Sequence, residues 1–595
     1  MGKQMPRKSV KKELLDLALS QNTEFFHPYL ENQPSYVSIL RRRMIQALDI
    51  ENIPDAKKLL AEFKALPGFD NGVNRQFILS QEARLMMLLG RPAEGIVPMV
   101  LEAIGITYDK FDEAKLENIV WFGEETGLLY TLAHLRARMG DLWAAIRIGK
   151  SVCEDLIKQP PDDQESANQL LRMLYSLSNF QLTAGDFAGA AEACEVGYAA
   201  SFVRIFGGHI PDFLYNNALA LHGLGRTGEC LPFLKKAFFG YGIMGRAERA
   251  RKVHEAAEKE FGISFETYGV ENMAYPARLE GGYTWGDIPQ ECNSIGSLLE
   301  AVVIKPRLNQ SDLCFGICSN AQFSKIISGT QDGRLEHLEA IFQRLGRTIA
   351  LYQNFYLRAD EFEARFQREE VICLMKTGQF AKAKVKIAEL GEKKFFMKGA
   401  NLQFIKTAEA TFFGLENGYT PEYLKRLENA LNIRHGFKAD EIEWYYLTQD
   451  EVVLINQIAC FHGETGNVAL AEKMLGQLCR NVKRRCTDKT EKAKIYGTIM
   501  YNYSKYLGQL GQRHRALEVI EEAVEHELGH GIFRRLSDLI YNRAYSLYHL
   551  GKYEESIPYW ALAYYGEAIM ADHSDSNSLL LTNKHAKEYF DIDFS

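Results

Sequence analysis

The sequence is short of several things, and each shortage narrows the reading. No stretch approaches the roughly 20 consecutive apolar residues of a membrane span. The basic N-terminus is not followed by an apolar run, so no secretory signal is expected. Only 16 of 595 residues are proline, and they are scattered, which argues against long disordered tracts. There is no excess of positive charge. The formal net charge is −7, which argues against a broad nucleic-acid-binding surface without excluding one small reading module. No phosphate-cradling glycine loop, nucleophile elbow or paired metal-ligand cluster is found. The ten cysteines are spread along apolar helical faces, as at Cys153, Cys194, Cys373, Cys460 and Cys479. They read as reduced core residues of a cytoplasmic protein. Cys314 and Cys318 could share one helical turn, and core packing is the expectation for them too. Runs such as Arg41–Arg43 and Lys483–Arg485 lie beside acidic residues and read as solvated surface.

What is present is helical periodicity, repeated at two scales. The short unit is a helix, a glycine turn and a second helix, as in "SLSNFQLTAGDFAGAAEACEVGY". Glycine accepts positive φ at the turn, and a small residue five positions later lets the second helix press on the first. The pair recurs at Gly140/Ala145, Gly185/Ala190, Gly378/Ala383, Gly466/Ala471 and Gly511/Ala516, with Gly225/Cys230 and Gly551/Ser556 as variants. This spacing resembles the tetratricopeptide repeat. Each hairpin cannot bury its apolar face alone, so neighbours should stack into an array with a concave surface.

At the long scale the chain returns on itself after about 326 residues. "NRQFILSQEA" from Asn74 matches "NLQFIKTAEA" from Asn401, and "DFLYNNALALHGLGRTGECLPFLKKAFFGYGIM" from Asp212 matches "DLIYNRAYSLYHLGKYEESIPYWALAYYGEAIM" from Asp538. This register implies two fused copies of one module. It also places Gly2 on Gly329, so the first copy is expected to begin where a short polar helix of the second copy ends.

That polar helix lies in residues 293–346, "NSIGSLLEAVVIKPRLNQSDLCFGICSNAQFSKIISGTQDGRLEHLEAIFQRLG". The segment resembles the lambda-repressor-like, Xre-type helix-turn-helix. The resemblance implies that Gln310 opens the second helix as a phosphate contact. Ser319 then caps the recognition helix, which Gly329 ends. It further implies that Asn320, Gln322, Ser324 and Lys325 face the DNA major groove, where amides and ammonium groups pair with base edges. Ile327 departs from the family pattern, which places an acidic residue there. Five Lys/Arg balance five Asp/Glu in the segment, so phosphate attraction is weak. A reader followed by helical hairpins resembles the Rgg/PlcR-type peptide-sensing regulators of Gram-positive bacteria, which implies a peptide in the concave groove.

Independently of any family, the sixth position of the first helix carries an asparagine in three hairpins, Asn216, Asn502 and Asn542, with Gln457 and Ser176 in related units. A carboxamide can grip the N–H and C=O of a peptide. The alternative is that these amides bond to neighbouring helices. Tyr215 and Tyr541 beside them read as packing aromatics.

"HELGH" at His526–His530 satisfies a zinc-protease pattern, with Glu527 as general base. Gly529 and Gly531 loosen the helix, no third ligand stands at a recognised spacing (His549 and Glu554 are the nearest options), and copy one has "ASFVR" at the same place. Catalytic zinc is therefore not expected.

The sequence thus predicts an all-α protein of two tetratricopeptide-like arrays with a helix-turn-helix between them. Residues 1–20 are read as a reader remnant, 21–262 as array one, 263–292 as linker, 293–346 as the helix-turn-helix and 347–595 as array two. The expected function is a non-enzymatic cytoplasmic transcription regulator without cofactor or membrane contact. It would bind DNA as part of a dimer and sense a peptide or protein signal. The alternative is an interaction scaffold whose helix-turn-helix no longer binds DNA.

Overall fold

The structure, a computed structural model, describes residues 24–25, 40–273, 299, 309–345, 357–358 and 367–594, with short gaps inside those ranges. The predicted remnant at 1–20, most of the linker, Cys373, Gly329 and His530 lie outside the described residues. The fold is an all-α helical repeat. A two-residue antiparallel pair, Glu24–Phe25 with Leu357–Arg358, is the exception among the described residues. The chain divides into two compact units, one within Ile39–Tyr275 and one within Pro276–Ser595 together with Gln21–Ser38.

The hairpin grammar follows from backbone demands. Seven turn glycines adopt positive φ: Gly140 (86°), Gly185 (78°), Gly225 (77°), Gly378 (70°), Gly466 (94°), Gly511 (76°) and Gly551 (77°). In each, the amide after the glycine reaches back to a carbonyl five residues earlier. Asp186 N donates to Gln181 O at 2.9 Å, and Gln512 N donates to Leu507 O at 2.9 Å. This bond satisfies a carbonyl that the ending helix would otherwise leave orphaned. Five residues after each glycine the side chain has no exposure at all: Ala145, Ala190, Cys230, Ala383, Ala471, Ala516 and Ser556. A larger side chain there would push the two helices of the hairpin apart.

The first unit packs Ile96, Val100, Leu128, Leu132, Ile148, Val152 and Leu174 into a continuous core along successive hairpins. Each such side chain contributes about 1.5–3 kcal/mol when fully buried. After the helix Ala247–Ala256, a π turn ends at Gly262 (φ +65°), and residues 263–273 fold back onto the unit. Phe265 packs edge-on against Phe238 and His254.

The same helical plan recurs in both units. Phe187–Val203 and Arg513–Gly529 begin and end 326 residues apart, as do Ile210–Gly223 and Leu536–His549. Nearer the start of each unit the offset is 327. Arg41 donates to Asn74 at 2.9 Å and lies 4.5 Å from the Phe77 ring. Arg368 donates to Asn401 at 3.3 Å and lies 4.7 Å from the Phe404 ring. Gln76 Nε2 donates to Ala103 O at 2.9 Å, and Gln403 Nε2 to Ala430 O at 3.2 Å. Arg41 is thus half-buried against aromatic rings, which corrects the surface reading for that residue, whereas Arg43 is exposed as that reading expects and Arg42 lies outside the described residues.

Gly511→Ala would force a Cβ into left-handed backbone. We expect a loss of about 1–2 kcal/mol from the second unit, measured as a shift in its denaturant midpoint. Gly529, the last residue of its helix and with open space around it, should tolerate alanine without loss.

Candidate nucleic-acid interface and its anchorage

The reader segment forms three described helices: Gln310–Cys314, Asn320–Ile327 and Leu335–Arg344. Gln310 is half-buried at the start of the first, which Asn309 caps by accepting from Ser311 N at 3.0 Å. Ser319 caps the second in a reciprocal box. Its hydroxyl accepts from Gln322 N at 3.2 Å, and Gln322 Oε1 accepts from Ser319 N at 3.1 Å. Phe323 and Ile326 turn inward onto Leu313, Cys314, Leu338, Ile341 and Phe342. That leaves Ser319, Asn320, Gln322, Ser324 and Lys325 exposed on the other face. The helix ends at Ile327 with Ser328 as its C-cap, and Ile327 itself packs at the margin of the core.

Two of the exposed groups are partly engaged within the reader. Asn320 Nδ2 donates to Ser311 Oγ at 2.8 Å, tying the second helix to the first. Gln322 is held in the capping box. Cys314 is buried in the reader core and Cys318 lies at its edge, with Cys318 N donating to Cys314 O at 3.1 Å. The Cys318 thiol is held below its ordinary range by a hydrogen bond from Cys314, against the opposing effect of burial, with a further contribution from Arg344.

The feature that sequence reasoning missed is the anchor. Arg344, the last residue of Leu335–Arg344, is completely buried. Its Nη1 donates to Leu313 O at 2.8 Å and Phe315 O at 2.7 Å, closing the loop between the first two reader helices. Its Nη2 donates at 3.2 Å to Glu451 Oε1, equally buried, on the helix Gln449–Glu464 of the array. Glu451 also completes a capping box, accepting from Thr448 N at 2.7 Å. A buried guanidinium needs acceptors for its donors, and here backbone carbonyls and one carboxylate supply them. The reader is therefore fastened to the array by charge and hydrogen bonds, with Tyr446 packing on its core.

The predicted groove amides occupy interhelical positions, and each donates to a neighbouring helix. Asn216 Nδ2 donates to Ser178 Oγ at 2.9 Å and Asn179 Oδ1 at 3.2 Å. Asn542 Nδ2 donates to Ser504 Oγ at 3.0 Å, the same bond one copy later. Asn502 Nδ2 donates to Asn456 Oδ1 at 3.0 Å, and Gln457 Nε2 to Thr411 Oγ1 at 3.0 Å. Ser176 Oγ lies 3.0 Å from His134 Nε2. Burial, then Arg138 and Arg172, push His134 down to about 4, so it is neutral at physiological pH. Asn216 is buried, whereas Gln457, Asn502 and Asn542 are half-buried. The geometry thus accounts for these amides' donors by bonds to adjacent helices. Tyr541 packs edge-on against Trp560 (5.4 Å) and meets His585 Nδ1 through its hydroxyl at 2.9 Å.

In "HELGH", Glu527 is buried over Gly497, where an added Cβ would collide with its Oε1. His526 packs edge-on against Tyr496 at 5.1 Å. Among the described residues no group of three or more His, Cys, Asp or Glu is placed to hold a metal ion. No described helix is long and apolar enough to cross a membrane.

No protein-family model and no curated protein sequence matches the chain. Among the solved structures similar to the chain are two of low score. Bacillus thuringiensis PlcR in complex with the peptide PapR7 and DNA is 18% identical, over 50% of this chain and 99% of that one, with a TM-score of 0.31. Naa15/Naa10 bound to HypK-THB is 12% identical, over 93% of this chain and 88% of that one, with a TM-score of 0.22. Likeness at this level transfers no function.

Arg344→Met leaves the Glu451 carboxylate buried without its cation. A loss of about 3–5 kcal/mol from the second unit is expected in denaturant unfolding. Arg344→Met combined with Glu451→Leu should recover a large part of that loss, because no unpaired charge then remains.

Proposed function

We propose that the chain is a non-catalytic, cytoplasmic DNA-binding regulator whose hairpin arrays receive a peptide or protein signal. The observation that carries this reading is the helix Asn320–Ile327. One face is anchored in a core by Phe323 and Ile326, and the other presents Asn320, Gln322, Ser324 and Lys325. Side chains of this kind on a short capped helix suit base edges and phosphates in a major groove. The expected reader is weakly charged, so its affinity depends on few phosphate contacts and on pairing two copies of the chain.

The anchor supplies a route for the signal. Glu451, which holds Arg344, and Gln457, a candidate ligand contact, lie on one helix, Gln449–Glu464. A ligand that shifts this helix would bias the orientation of the reader.

A second reading, an interaction scaffold, is favoured by one observation. Asn320 and Gln322 spend part of their hydrogen-bonding capacity inside the reader. Gel-shift titration with genomic fragments at low salt separates the two. The regulator reading expects sequence-selective shifts. It further expects Lys325→Ala to weaken binding similarly across sequences and to reduce the salt slope by about one. Absence of any shift at low salt, with a protein partner captured by the arrays, would establish the scaffold instead.

A further inference from the structure

The turn between the first two reader helices carries two thiols. Cys314 ends the helix Gln310–Cys314, and Cys318 directly precedes the Ser319 cap of Asn320–Ile327. These are cysteines four apart in a chain whose other cysteines stand singly. The turn is tight. Ile317 N and Cys318 N both donate to Cys314 O, at 2.8 and 3.1 Å, and Gly316 takes positive φ (69°). A turn closed by the N–H of residue i+4 on the C=O of residue i holds its end Cα atoms about 6 Å apart, inside the range of about 4.4–6.8 Å that a disulfide spans. Both side chains lean on one core, Cys314 within it and Cys318 at its margin. Cys318 is half-buried, and Phe315 and Gly316 in the turn are exposed, so the second thiol is the one open to a small molecule.

Arg344 makes the two thiols unequal. Its Nη1 is bound to the carbonyls on either side of Cys314, those of Leu313 and Phe315. A hydrogen bond from Cys314 favours the Cys318 thiolate, burial opposes it, and the Arg344 charge adds to the first effect. Cys314 is pushed the other way by the same bond, by burial and by the Cys318 charge. The remaining described cysteines, Cys153, Cys194, Cys230, Cys460 and Cys479, are all held up chiefly by burial, which makes them poor nucleophiles.

We propose that Cys318 and Cys314 are a redox-modification site, an attacking and a resolving cysteine that close to a disulfide with a small-molecule disulfide such as oxidised glutathione as the oxidant. The Cys318 thiolate attacks one sulfur of the oxidant, forming a mixed disulfide and releasing one thiolate. That thiolate takes the Cys314 proton. The Cys314 sulfur then attacks Cys318 Sγ and expels the second thiolate, which takes a proton from water. Two protein thiols have lost two electrons, and one small disulfide has become two thiols. The new bond closes the turn that seats Arg344 and precedes the Ser319 cap. It therefore marks the junction of reader and array, and it does not depend on the reader binding DNA.

The test is peptide mapping of the folded full chain after equilibration with oxidised and reduced glutathione. Trypsin releases both cysteines in one peptide, Leu308–Lys325. The expected product is that peptide lighter by two hydrogens and closed to alkylation, with the five other described cysteines still alkylated once the chain is unfolded. The folded chain should form the bond at a ratio of oxidised to reduced glutathione about tenfold or more below the one the isolated peptide needs, because the turn already holds the ends of the ring. Cys314→Ser should stop at the mixed disulfide on Cys318, and Cys318→Ser should leave Cys314 a free thiol. A dithiol that persists in the folded chain at ratios that oxidise the isolated peptide would overturn the proposal. So would a stable glutathione adduct in wild type, or a bond that forms only after unfolding. The wild-type map decides the matter even where a variant fails to fold.

Discussion

A guanidinium removed from water needs acceptors, and the two terminal nitrogens of Arg344 find them in two carbonyls of the reader and one carboxylate of the array. This constraint sets the arrangement of the second unit. The loop that precedes the recognition-type helix is shaped by the carbonyls of Leu313 and Phe315. The helix Gln449–Glu464 is fixed at its start by Glu451, which caps the helix and binds the arginine together. Desolvating both charges is expensive, so the intact pair adds little net stability over an apolar pair of the same size, whereas removing one partner is costly. The reader is thereby held in one orientation toward the array, which a scheme of signal transfer through the array requires.

Around that anchor the chain repeats one local device. A glycine in left-handed backbone closes a helix, and a fully buried small residue five positions later sets the approach of the next. Because the device is local, copies drift in side-chain chemistry while the backbone plan persists. The Asn216–Ser178 and Asn542–Ser504 bonds persist across the duplication, whereas His209 and Tyr241 have become Arg535 and Glu567.

The turn glycines, their small partners and the Ser319 cap were legible in the sequence because each answers a backbone requirement within a few residues. The duplication was legible because the register was kept. The engagement of the groove amides was partly legible. Bonding to neighbouring helices is one of the readings their repeat position offers, but the sequence does not single out the partners Ser178 and Ser504, 38 residues earlier. The Arg344–Glu451 pair was not legible. It joins residues 107 positions apart, and nothing near Arg344 distinguishes it from a surface arginine closing a helix. Arg41 misled for a related reason, since its aromatic partners come from a later helix. Long-range burial is decided by tertiary packing, and local pattern does not carry it.

Through Arg344, reader and array are expected to behave as one cooperative body. Native-state hydrogen exchange of the full chain tests it most directly. Amides of Leu335–Arg344 and of Gln449–Glu464 should open with the same free energy and denaturant dependence, and Arg344→Met should separate them. Exchange of the reader helices independently of Gln449–Glu464 in the wild-type protein would contradict the account.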